Sequence, residues 1–258
     1  MLILAFLQAV GRSVGVNRMS SQKVANPEQI PSSSLQHWIR LTLVYLLIPL
    51  ILLLCGGDIR WWQAWVFTLL IMAAGLGGRI WAERRHPGLM AERQSAESLQ
   101  EAKAWDKVLA PLMAISIAFP MVIVAGLDHR FSWSAAFPLW LNVLGLGLIA
   151  VGYALAVWAL AENRFFASVV RIQMDRGHVV CDTGPYRLVR HPGYGGNVLA
   201  LPGMVLAFSS WWTVIPAGVA LIIAVIRTAL EDKTLQAELP GYKEYAARVR
   251  YRLLPGIY

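Results

Sequence analysis

The chain has 258 residues, of which 57% are hydrophobic and 15% charged, and its mean hydropathy is +0.53. That balance excludes an ordinary soluble globular domain and points to a bilayer as the solvent. The formal charge of +8 admits a nucleic acid, an acidic substrate or an anionic lipid surface as partner, so the distribution of charge must decide among them.

Eleven Trp and thirteen Pro agree with a membrane protein. Trp collects at membrane interfaces, and Pro is tolerated in spans where neighbouring helices satisfy the freed carbonyls. Cys55 lies in an apolar run and Cys181 in a polar loop, with no CxxC and no metal-spaced Cys/His set. Neither a disulfide framework nor a metal site is expected.

Residues 1–10 are apolar but lack a basic n-region and a nearby small-residue cleavage site, so they read as a short interfacial segment rather than a signal peptide. Residues 11–34 read as a mobile polar lead-in. A bilayer core of about 30 Å needs about 20 apolar residues in a helix. Runs at 39–55, 62–81, 108–127 and 139–161 meet that need. The stretch 198–229 is apolar but broken near Ser209-Ser210-Trp211-Trp212, which predicts a helical hairpin with a first arm of roughly a dozen residues. The expected fold is all-α and polytopic, with about five to six transmembrane helices. It divides into the lead-in at 1–34, four spans at 35–161 joined by a cytoplasmic connector at 82–107, and a module at 162–258.

Basic residues test this plan, because short cytoplasmic loops carry the excess of Lys and Arg. The first hairpin loop has only Arg60, whereas 82–107 has Arg84, Arg85, Arg93, Lys103 and Lys107. Arg130 stands alone in the next loop, 162–197 has five arginines, and the Ser209 to Trp212 tip has none. The alternation predicts both termini in the cytoplasm. Basic charge is then topological, and a nucleic-acid role has no support. Arg79, inside the end of the second span, is left over.

Polar residues are costly in a membrane protein unless they face water or a cavity. The connector 82–107, with His86-Pro87 and charges of both signs, reads as a solvated link or amphipathic helix. The segment 162–197 is denser. It holds Glu162-Asn163-Arg164-Phe165-Phe166, Asp175-Arg176-Gly177-His178, Gly184-Pro185-Tyr186 and Arg190-His191-Pro192-Gly193-Tyr194-Gly195-Gly196-Asn197. Gly-Pro and Pro-Gly fix turns, close glycines let backbone approach a ligand, and Tyr186 and Tyr194 suit a cation.

In order, the chain carries His178, a Gly-x-Tyr turn, Arg190-His191-Pro192 with Tyr194, an apolar hairpin, Arg227 and Glu231, and a Tyr-rich tail to Leu254-Pro255. From about residue 162 to the C-terminus this resembles the isoprenylcysteine carboxyl methyltransferase family. The resemblance implies S-adenosyl-L-methionine as cofactor, held without a Rossmann domain. It assigns the cofactor to His178, Val179, Val180, Cys181, Tyr186, His191, Pro192, Gly193, Tyr194 and Glu231. Arg227 matches a substrate-contacting arginine, so Arg227 and Glu231 are the expected catalytic pair. Their i, i+4 spacing also admits a simple intrahelical salt bridge. The sequence departs from the family where Arg171, with Gln173 two positions on, replaces an expected glutamine, and where Asp232 replaces a frequent Glu.

The implied acceptor is lipid-like or prenylated, with membrane lipids as further partners and no nucleic acid. A carboxylate acceptor needs no general base, and Arg227 would hold it by a bidentate contact. An amine or thiol acceptor would need one, with Glu231, His178 or His191 as candidates. A phospholipid N-methyltransferase, a thiol S-methyltransferase and an NADPH-dependent membrane reductase are the rival enzymes. A small transporter or scaffold is the rival outside enzymology, but the spans are nearly free of charge apart from Arg79 and Arg227. The tail from Glu238 to Arg252 reads as an interfacial amphipathic helix, a lid over the cofactor, or both.

Overall fold

Each apolar run forms a helix because a chain crossing hydrocarbon must satisfy its backbone N–H and C=O groups internally. The computed structural model describes residues 35–258; the segments expected at 1–10 and 11–34 lie outside the described residues. The main helices are α1 (Leu35–Gly56), α2 (Trp62–Arg85), α3 (Asp106–Phe131), α4 (Leu139–Glu162), α5 (Pro192–Ala207) and α6 (Val214–Glu238). A short α7 (Tyr242–Arg248) follows in the tail. Among the described residues, α1, α2, α3, α4 and α6 contain stretches long and apolar enough to cross a membrane. The protein is an all-α, multi-pass integral membrane protein.

Two helices are locally irregular. A π turn at Ala73–Gly77 interrupts α2, and α3 is broken at Phe119, where Pro120 has no N–H to continue the ladder.

The hairpin is as expected in kind but longer in its first arm. α5 has 16 residues, roughly 24 Å at the usual helical rise. It begins at Pro192, a residue suited to the first helical turn. The glycines after it are helical rather than loop because the packing needs them. A Cβ on Gly196 would meet the Gly152 carbonyl oxygen at 2.2 Å, and one on Gly195 would meet that of Leu253 at 2.3 Å. α4 and α5 therefore touch backbone to backbone, and the tail lies against the start of α5.

Side-chain bonds define the two ends of the bundle. At one end Asp128, on α3, accepts from Ser134 Oγ (2.8 Å) and Ser210 Oγ (2.5 Å), while His129 meets Asp58 at 3.3 Å. Trp62, Trp133, Trp211 and Trp212 stand exposed around this end, as an interfacial belt would. The opposite end gathers the connector, residues 163–191 and the tail. α5 joins the two ends, so the helices make six passes between them.

The connector departs from the solvated link expected of it. Leu89 and Met90 are buried against Ala82, Leu160 and Ala161. The Glu83 carboxylate fixes that turn by accepting from the backbone N–H of Gly88 (2.9 Å) and Met90 (2.8 Å), with Gly88 at φ +87°. Two apolar residues in a charged stretch decide its place. The tail departs too: α7 has seven residues and buries Tyr242 and Tyr245 inward, so its tyrosines are not interfacial anchors.

Candidate functional site

Residues 163–191 form an irregular segment laid over the bundle end, and buried charge holds it there. The Arg171 guanidinium is paired with Glu92, with Glu101 (2.5 Å) and with Asp175 (3.3 Å), tying the segment to the connector. The Asp106 carboxylate, at the first turn of α3, accepts from the Val170 backbone N–H at 2.6 Å. Gln173 is buried and donates to the Phe165 carbonyl at 2.9 Å. The departures from the family at Arg171 and Gln173 thus have structural employment here.

Beneath this segment lies a cavity of about 390 Å³, within the size range of small-molecule sites. Its upper wall includes His178, Val180, Cys181, Tyr186, His191, Gly193, Tyr194, Tyr242 and Tyr245. The lower wall is mostly apolar and comes from the spans, with Tyr45, Ile48, Phe67, Ile71, Met113, Ile117 and Tyr153. Arg79, Arg93, Asn163, Asn197, Arg227 and Glu231 also line it. α1 and α2 therefore contribute to the site.

Most residues singled out from the sequence meet at this cavity. Two do not: Val179 is 57% exposed, and Pro192 is packed in the first turn of α5, away from the cavity wall. Tyr186 donates to the Ala159 carbonyl (3.2 Å), and its own carbonyl accepts from Tyr245 (2.8 Å), so it is a fixed wall. His191 lies between Asp232 Oδ1 and the Tyr242 hydroxyl, each at 3.4 Å from Nε2, and stacks on Tyr194 with ring centroids 5.9 Å apart. Burial raises the Cys181 thiol and the Tyr242 and Tyr245 phenols, so all three stay protonated at neutral pH.

The simple intrahelical salt bridge between Arg227 and Glu231 does not form among the described residues, although both line the cavity. Arg227 donates from Nε to Asp106 Oδ1 (2.7 Å) and from Nη2 to Oδ2 (3.0 Å), and it lies 5.1 Å from the centre of the Tyr194 ring. Glu231 instead accepts from the Tyr194 hydroxyl at 2.6 Å. The Nε–Nη2 edge of the guanidinium thus faces Asp106, which leaves the Nη1 side for an acceptor. The sequence reading missed Asp106, whose signal was a lone carboxylate at the mouth of an apolar run. It also missed Arg93, whereas Tyr242 and Tyr245, which share a helix face at i, i+3, stand where the reading of the tail as a lid put them.

His178 lines the cavity as a neutral ring. Burial first, then the Arg171, Arg176 and Arg164 guanidinium groups, lower its pKa to about 4, and Nδ1 accepts from the Gln173 backbone N–H at 3.2 Å. The unfolded chain therefore binds more protons than the folded one between pH 4 and the ordinary histidine value of 6.5, and stability rises with pH across that window. The thermal midpoint of the detergent-solubilised protein is expected to fall as pH drops from 6.5 towards 4, with a shallower fall in His178→Gln. Superimposable profiles would assign the acid sensitivity to other groups.

Comparison with known proteins bears on what this cavity does. Residues 140–239 match a family model described as phospholipid methyltransferase. The match supports a membrane methyltransferase family. It runs through α4, the overlying segment, α5 and α6, the elements that supply most of the upper wall. Over 120 residues the chain is also 30% identical to the cobalt-zinc-cadmium resistance protein CzcN of Cupriavidus metallidurans, covering 45% of this chain. The matched stretch spans 49% of that relative, about half its length. Among the described residues no group of three or more His, Cys, Asp or Glu could hold a metal ion.

Proposed function

We propose that this protein is an S-adenosyl-L-methionine-dependent methyltransferase that methylates a lipid-like acceptor at the membrane surface. One observation carries the reading: a single cavity joins a polar, aromatic upper chamber to an apolar lower chamber inside the spans, with the Glu231 carboxylate on its wall. A water-soluble donor and a bilayer-dissolved acceptor need such a meeting place. We further assign residues 162–258 as the methyltransferase module on the spans at 35–161, with both termini cytoplasmic, as the basic end of the bundle suggests.

The residues fit the cofactor. Tyr194, Tyr186 and Tyr242 give the cavity aromatic walls, and Glu231 offers a carboxylate that would offset the charge of a sulfonium. When bound, the cofactor supplies an electrophilic methyl group, which an acceptor displaces in line. Tyr194 orients Glu231 by its hydroxyl, and the buried wall of Tyr186, Tyr242 and Tyr245 excludes water. His178 accepts at Nδ1 from the Gln173 backbone N–H, and His191 Nε2 is engaged with Asp232 and Tyr242. By position, Glu231 is then the group that would receive the proton of an ammonium or thiol acceptor, whereas a carboxylate acceptor needs none.

The family-model match favours a phospholipid amine as acceptor, alongside the prenylcysteine carboxylate implied by the isoprenylcysteine carboxyl methyltransferase resemblance. Calorimetric titration of S-adenosyl-L-methionine into the detergent-purified protein tests the cofactor, with NADPH as the competing ligand. Glu231→Gln is expected to weaken the cofactor by roughly 10- to 100-fold, the scale on which losing one partner of a desolvated charge pair weakens binding. Tight NADPH binding without S-adenosyl-L-methionine binding would replace the reading with a reductase. Radiolabelled methyl transfer to phosphatidylethanolamine or to a farnesylcysteine analogue then distinguishes the acceptors.

A further inference from the structure

The arginines that line the cavity fall into two groups. Arg171, Arg190 and Arg227 each meet at least one carboxylate within 4.0 Å. Arg79 and Arg93 meet none among the described residues, although both line the cavity. Arg79 donates from Nη1 to the Tyr45 hydroxyl and to the Gly75 carbonyl (2.8 Å), and lies 5.1 Å from the centre of the Tyr45 ring. Arg93 donates from Nη1 to the Phe166 carbonyl (2.6 Å) and lies 5.0 Å from the centre of the Phe166 ring. In each the Nε–H is buried without a hydrogen-bond partner, as it is also in Arg171, whose charge the three carboxylates meet.

The surroundings of Arg79 are built for this. The π turn ends two residues before it, and a Cβ on Gly75 would meet the Tyr45 ring at 2.3 Å. The glycine therefore lets the Tyr45 ring lie against α2, where its hydroxyl meets Arg79. π turns concentrate at functional positions. Arg93 is brought in by the docked connector.

Two guanidinium groups facing one cavity, each with an orphaned N–H, are costly in a membrane protein unless an anion joins them. We propose that Arg79 and Arg93, with the Tyr45 hydroxyl, form an oxyanion site for the acidic headgroup of an amphiphile whose chain fills the apolar chamber of Ile48, Phe67, Ile71 and Met113. It rests on the methyl-transfer reading only in taking that amphiphile to be the acceptor. Burial and then the Arg79 charge lower the Arg93 pKa to about 9, so the group is still a cation at neutral pH and gains from an anion. The carboxylate of the cofactor is the other possible oxyanion. The apolar chamber next to the arginines favours the amphiphile.

The test uses the full chain in an uncharged detergent, titrated with hexadecyl phosphate, oleate and methyl oleate and followed by thermal shift. The two anions are expected to raise the midpoint and the uncharged ester to leave it unmoved. Arg93→Gln and Arg79→Gln are expected to weaken hexadecyl phosphate by roughly 10-fold each, the worth of one charge-assisted hydrogen bond, and Arg93→Lys by less. Equal responses to oleate and its ester in the wild-type protein would overturn the site, whatever the variants do. So would variants that weaken S-adenosyl-L-methionine but not hexadecyl phosphate, since the anion would then belong to the cofactor. Hexadecyl phosphate binding in a protein that takes no S-adenosyl-L-methionine would support the site and remove the methyl-transfer reading.

Discussion

Asp232→Ala is expected to destabilise the protein by about 3–5 kcal/mol, the range for removing one partner of a buried ion pair. Asp232 is fully buried. Its carboxylate accepts from Arg190 Nε (2.7 Å) and Nη2 (3.0 Å), Arg252 Nε (3.0 Å), Gln236 Nε2 (2.8 Å) and the Tyr242 hydroxyl (3.2 Å), with His191 beside it. Arg190 in turn donates from Nη1 to the Val249 and Arg250 carbonyls at 2.8 and 2.9 Å. One carboxylate on α6 thus ties the start of α5 to the tail. Removing it strands Arg190, which is 8% exposed, and frees the wall of the cavity formed by His191 and Tyr242. Thermal unfolding in detergent should show a large drop in midpoint, with Asp232→Asn intermediate because it keeps part of the hydrogen bonding. A loss below about 1 kcal/mol, the level of a surface ion pair, would show that solvent or lipid reaches this network.

The neighbours Glu231 and Asp232 illustrate what the sequence could and could not show. Helical geometry puts consecutive side chains about 100° apart, so one faces the cavity and the other the tail. Their different work follows from what each face meets. The spans were legible because apolar runs near 20 residues have few alternatives, and the two ends were legible from the alternation of basic loops. The ordered motif from His178 to Glu231 located the upper chamber. Partnerships across the chain were not legible. Arg227 and Glu231 stand at the spacing of a helical pair, but that interaction is worth only about 0.2–0.5 kcal/mol. A buried bidentate partner 121 residues away outweighs it. The connector was misread for a related reason: its charges suggested water, whereas Leu89 and Met90 carry it inward and bring Arg93 to the cavity.

Asp106→Ala is expected to be nearly as damaging, again by about 3–5 kcal/mol, because it strands the Arg227 guanidinium inside the protein. Arg227 is 3% exposed and Asp106 is fully buried. The Val170 N–H also loses its acceptor, so the overlying segment loosens together with α3 and α6. The double variant Asp106→Ala with Arg227→Leu separates the two costs. Replacing both charges by apolar groups removes the stranded cation, so the double variant is expected to be more stable than Asp106→Ala alone, leaving chiefly the unmet Val170 N–H. Thermal midpoints of the four proteins give this coupling directly. A double variant as unstable as the sum of the singles would mean that Arg227 is held mainly by its other contacts, the Ser168 carbonyl at 3.1 Å and the Tyr194 ring. Ser168 and Tyr194 both line the cavity, so Arg227 would then be held to the cavity wall rather than to α3.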